Sequence, residues 1–209
     1  MASNVLKKVI APVIPYITIG VGLLVLHNVW IAIIAYHIGM VAIILVSREH
    51  IPLRKLLQTN NYIIPLFTAV LGASGGVLLY LLWPLLSIPP DINVYLQNIG
   101  LTQRAWPLFL VYFALVNPWI EEYYWRGYLG SDRKFIILND ILFSGYHVMV
   151  MAGKVETIWL LVVFAALMMG AWFWRQSNRV SHGLLSSLAS HMAADITVIF
   201  TIFWLTGIH

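Results

Sequence analysis

The chain is 209 residues long, 61% hydrophobic and only 10% charged. A soluble domain carries about 25% charged residues, so a core surrounded by water is excluded and a lipid-embedded one is expected. No cysteine is present, which removes disulfides, thiolate nucleophiles and cysteine-bound metals.

A helix needs roughly 20 apolar residues to cross the hydrocarbon layer. On that ruler the chain holds seven spans, at about 9–26, 29–46, 62–87, 105–129, 135–152, 157–174 and 181–206. The expected fold is therefore all-α, a polytopic transmembrane bundle of about seven helices forming one domain, 1–209. The short alternating segments of a membrane barrel are missing. The first run follows Lys7 and Lys8 but carries Pro12 and Pro15 and lacks a small-residue cleavage site, so it reads as a span and not as a signal peptide. The first hairpin must turn at His27-Asn28 almost without a loop.

The net charge of +4 comes from basic residues scattered between apolar runs. That pattern belongs to membrane topology, and no nucleic-acid partner is expected. With the N-terminus in the cytoplasm, the inner segments hold Lys7, Lys8, Arg48, Arg54, Lys55, Arg133, Lys134, Arg175 and Arg179, and the outer ones only Arg104 and Lys154. This bias predicts a multi-pass protein of the cell membrane with its C-terminus outside. Trp30, Trp83, Trp106, Trp159 and Trp204 fall at outer ends, and Trp125, Trp172 and Trp174 near inner ones, as headgroup anchors should.

Five charged side chains fall well inside these spans: Glu121, Glu122, Arg126, Asp140 and Asp195. His147 and His191 share the same helices. Each intramembrane charge costs about 2.5–3.5 kcal/mol on insertion scales, so these groups must pair, hold protons or enclose water. At 1.5 Å per residue, Glu121 lies about 15 Å from the inner end of its span, and His147 and His191 roughly 18–20 Å. Three helices thus bring ionisable groups to nearly one level. Arg126 and Asp140 are shallower, about 8–9 Å deep, which suits an interhelical ion pair, and Arg126 also follows Glu122 by four residues, the favourable order for a same-helix pair. Phe143 and His147 are four apart, as are His191 and Asp195, so each pair shares a helix face. Glu121 and Glu122 point about 100° apart and should do different jobs.

These residues resemble the CAAX protease and bacteriocin-processing family, also called Abi, whose members include the CAAX prenyl endopeptidase. The family pattern is EExxxR, FxxxH, then HxxxN or HxxxD on separate helices. Here it reads Glu121-Glu122-Tyr-Tyr-Trp-Arg126, Phe143-Ser-Gly-Tyr-His147 and His191-Met-Ala-Ala-Asp195, within about residues 115–200. The resemblance implies an intramembrane endopeptidase in which Glu121 activates water, with His147 helping to hold it. It further implies that Glu122 and Arg126 support the site while His191 and residue 195 stabilise the oxyanion. Phe143 would form a wall. Many members carry asparagine at the last position, whose amide donates a hydrogen bond. An ionised Asp195 can only accept one, so it must be protonated or must orient His191.

Under this reading the substrate is a peptide or protein, prenylated CAAX tails and leader peptides being options, and no cofactor is required. The alternative is a zinc metalloprotease using the same histidines and carboxylates, although no HExxH string occurs. A non-catalytic immunity or scaffold protein on the same fold is a third reading, and a proton-coupled transporter a fourth, without the internal repeat a transporter would show. Gly72-Ala73-Ser74-Gly75-Gly76 contains the GxSG string of rhomboid proteases, but close helix packing explains it better. His27, His50 and His209 are expected to be solvated, and His37 and His182 to be packing or interfacial residues.

Overall fold

The computed structural model describes residues 6–48 and 51–207; His50 and His209 lie outside them. The described residues are helical or connecting, with no strand. Helix α1, Ala11–Val25, follows a π-helical turn, Leu6–Ile10. Helix α2 spans Val29–Ser47, α3 Ile63–Leu82, and the short α4 Ile92–Asn98. Then come α5, Trp106–Leu115, and α6, Asn117–Glu121, which runs into a π-helical segment, Glu122–Tyr128. Helices α7, Leu138–Met151, α8, Thr157–Ser181, and α9, Leu185–Thr206, complete the chain.

Each expected span meets helical structure. Among the described residues, four helices are long and apolar enough to cross a membrane: Val29–Ser47, Ile63–Leu85, Thr157–Ser181 and Leu185–Thr206. The hairpin between α1 and α2 is as tight as the sequence requires. His27 takes a left-handed φ of 48°, and Asn28 Oδ1 accepts from Trp30 N and Ile31 N, both at 3.0 Å, to cap α2.

The expected continuous helix at 105–129 is broken. Pro118 has no amide hydrogen to donate to the turn before it, and the backbone then widens into the i→i+5 pattern from Glu122. The motif acids therefore sit where helical geometry changes. Helix α8 also runs to Ser181, past the expected end at 174. Its last turns are tied down by buried polar groups: Asn178 Nδ2 donates to Ser187 Oγ at 2.7 Å, and Arg175 is buried.

Helices α3 and α9 pack backbone to backbone. A Cβ on Gly72 would lie 2.1 Å from Ser190 O, and one on Gly76 2.5 Å from Thr197 backbone atoms. Thr68 Oγ1 donates to Ser186 O at 2.7 Å across the same seam. Small residues that let helices touch are the usual adhesive within lipid. Ser74 Oγ donates to Leu71 O of its own helix at 2.6 Å, so the glycine run serves packing. The seam fixes the height of α9, and with it His191.

Candidate active site

Glu121 and Glu122 are both buried, 2% and 0% exposed, and part company as their spacing predicts. Glu121 Oε1 accepts from Tyr146 Oη at 2.7 Å. Its Oε2 has no hydrogen-bond partner among the described residues and lies 3.7 Å from His191 Nε2. Glu122 Oε1 instead accepts from His191 Nδ1 at 2.8 Å and lies 3.1 Å from Arg126 Nη1. One carboxylate faces the Nε2 side of the imidazole and the other grips its Nδ1 side.

His191 comes from α9, where its ring stacks on Trp174 with centroids 4.9 Å apart. Because Nδ1 donates to Glu122, Nε2 is the nitrogen presented to Glu121 and to Asp195 Oδ1, the latter 3.5 Å away. His147, from α7, donates from Nδ1 to Phe143 O at 2.8 Å. That bond leaves its Nε2 as the free nitrogen, 3.3 Å from Tyr146 Oη. Phe143 stands between the two histidines, its ring 4.5 Å from His147 and 6.2 Å from His191. The acids and imidazoles of three helices thus share one buried cluster.

Two members of the cluster carry no motif. Asn117 Nδ2 donates to Asp195 Oδ2 at 3.0 Å. Its Oδ1 accepts from His37 Nε2 at 3.0 Å, and His37 Nδ1 in turn meets Tyr112 Oη at 2.7 Å. His37 is therefore a link in a buried chain from Tyr112 to Asp195, more than the packing residue expected. Asn117 precedes Glu121 by four residues, the spacing that puts two side chains on one helix face; that was the available signal. Tyr146 is the other, and the signal was only its place beside His147.

The expected Arg126–Asp140 pair does not form. Arg126 turns to Glu122, and its guanidinium lies over the rings of Phe143, at 3.9 Å, and Trp174, at 4.7 Å. Asp140 pairs with Arg175, through Nε to Oδ1 at 3.2 Å and Nη2 to Oδ2 at 2.8 Å. Asp140 Oδ2 also accepts from Ile137 N at 3.0 Å, at the start of α7. Arg175 further donates to the carbonyls of Ser131, Arg133 and Phe135, which staples the 131–135 loop to α8. Depth alone could not choose between Arg126 and Arg175 as the partner.

Two carboxylates, two imidazoles and an acid on one level can activate water, hold a developing oxyanion and return a proton. Among the described residues, no group of three His, Asp or Glu side chains is arranged to hold a metal ion.

Residues 103–197 match a family model described as type II CAAX prenyl endopeptidase, Rce1-like. Among curated proteins and solved structures nothing matches the chain. The matched segment contains all three motifs and both residues that the motifs leave out. Residues 103–197 of this multi-pass membrane protein are thus similar to the Rce1-like domain of the CAAX protease family.

Proposed function

We propose that the protein is an intramembrane endopeptidase in which Glu121 is the general base and His191 the oxyanion donor. The observation that carries this reading is the facing pair: Glu121 Oε2, buried and without a hydrogen-bond partner among the described residues, 3.7 Å from His191 Nε2.

In this reaction Glu121, anchored through Oε1 by Tyr146, takes a proton from water. His147 Nε2 accepts the second hydrogen of that water and orients it. The resulting hydroxide attacks the scissile carbonyl carbon, and the charge that develops on oxygen is met by His191 Nε2–H. His191 acts in its doubly protonated form, held by Glu122, which Arg126 holds in turn. Glu121 then returns its proton to the amine nitrogen as the C–N bond breaks, leaving a carboxylic acid and an amine.

Asp195 works as an acid in the site. Three carboxylates against Arg126 and a charged His191 leave one negative charge in excess, and one further proton neutralises the cluster. With Glu121 needed as base and Glu122 between two cations, that proton belongs on Asp195 Oδ1. Asp195 then accepts from Asn117 through Oδ2 and donates through Oδ1, the same pair of roles an asparagine amide fills.

The substrate is a membrane-associated peptide, with prenylated CAAX-type tails and leader peptides as the candidate classes. The chain is read as one transmembrane domain with a cytoplasmic N-terminus, so that the site opens toward the inner leaflet. Comparative proteomics of cells carrying the parent or Glu121→Gln protein tests this. A membrane-associated peptide trimmed only in parent cells is the expected result, and identical peptide profiles would count against the proposal.

A further inference from the structure

A cavity of about 280 Å³ opens between residues 127–132, the end of α8 and the Leu53–Leu57 turn. Of its lining residues only Arg126, which holds Glu122, enters the proposed reaction. Its wall carries Lys55, Arg126, Arg175, Arg179 and His182 against a single acid, Asp132. Basic residues that merely set topology stand apart in solvent. These surround a concavity, where low-dielectric walls concentrate their potential.

Arg126 stands behind this wall. Arg126 is only 8% exposed, and Phe143 and Trp174 cover its guanidinium plane, which leaves the edge for hydrogen bonds. Nη1 is ion-paired with Glu122, off hydrogen-bonding alignment, and Nη2 has no acceptor among the described residues. Both nitrogens are sealed from solvent, so this guanidinium adds positive potential to the cavity wall and no donor inside it. Arg175 is occupied by Asp140 and backbone carbonyls, so it shapes the wall. Arg179 Nε donates to Gln176 Oε1 at 3.0 Å, which holds that side chain at the rim.

We propose that this cavity binds a phosphate-class oxyanion. Basic side chains line it from separate elements: Arg179 in α8, His182 just beyond its last turn and Lys55 in the 53–57 turn, with Arg126 adding charge behind them. A tetrahedral phosphate offers acceptors in as many directions, whereas a planar carboxylate is matched by one guanidinium fork. Trp172 Nε1, one turn back on α8 from Gln176, donates to Lys134 O at 2.8 Å, an indole at the level where headgroups lie. The phosphate is thus either that of an anionic phospholipid or inorganic phosphate. The inference stands independently of the proteolytic reading.

The test uses the full chain, purified in phospholipid-free detergent and in nanodiscs of phosphatidylglycerol or phosphatidylcholine. Thermal shift is titrated with inorganic phosphate against chloride, and native mass spectrometry counts retained phosphatidylglycerol. Stabilisation by phosphate in detergent identifies the free anion, and retention of phosphatidylglycerol but not phosphatidylcholine identifies the headgroup; either supports the site. The Lys55→Gln/Arg179→Gln variant should bind about tenfold more weakly, with helical content checked by circular dichroism. Asp132→Asn, which removes the one opposing charge, should bind more tightly and decides the matter if the double variant does not fold. Absence from the parent of both phosphate-dependent stabilisation and selective phosphatidylglycerol retention, parent-like binding by a folded double variant, or unchanged or weaker binding by Asp132→Asn would overturn the proposal.

Discussion

His191 Nδ1 donates to Glu122 Oε1 across 2.8 Å, joining helix α9 to the π segment that follows the first motif glutamate. The bond fixes Nδ1 as a donor and leaves Nε2 facing the acid of another helix, 3.7 Å away. A carboxylate behind an imidazole also stabilises its doubly protonated form.

If that is its role, Glu122→Gln keeps a hydrogen-bond acceptor but loses the charge. Cleavage by the reconstituted variant should then show kcat lower by about a hundredfold with little change in KM. A change confined to KM would assign Glu122 to substrate binding instead.

Asp195 gives a sharper test, because asparagine should do its work without a proton. Asp195→Asn should retain cleavage, and Asp195→Ala should lose it. An acid-form Asp195 is lost as pH rises, so the parent's rate should fall on the alkaline side through a limb that Asp195→Asn lacks. Asn117→Ala, which frees Asp195 Oδ2, should slow cleavage by about tenfold and displace the same limb. A pH–rate profile identical in parent and Asp195→Asn would contradict the assigned proton.

The Asp140–Arg175 pair, buried on both sides at 6% exposure, belongs to stability. Removing one partner of a buried ion pair costs about 3–5 kcal/mol. Asp140→Asn should therefore lower the melting temperature of the detergent-solubilised protein while the cleavage rate of the folded fraction stays near the parent's. A rate loss without a melting shift would bring Asp140 into the chemistry.

What the sequence made legible follows from where its signals live. Helical spacing placed His191 with Asp195 and Phe143 with His147, and the common depth of Glu121, His147 and His191 foretold one cluster. Asn117 obeyed the same i, i+4 rule with Glu121 but sat among apolar residues beside a proline, where a neutral amide gives no charge signal. The Arg126–Asp140 expectation failed because depth fixes a level and not a direction around the helix axis. Arg175, counted among topology-setting cations, lies at the same level on a helix that continues two turns further than its apolar run. The break at Pro118 was visible as a residue, but the widened turn after it depends on what Glu122 and Arg126 can reach.

The most direct measurement is cleavage of the proteomically identified peptide by purified, reconstituted parent and Glu121→Gln proteins under single-turnover conditions. Glutamine keeps the shape and the Tyr146 contact but cannot take a proton from water. The rate should fall by at least about a hundredfold, with the helical content and melting temperature of the variant close to the parent's. A folded Glu121→Gln protein that cleaves at the parent rate would contradict the account.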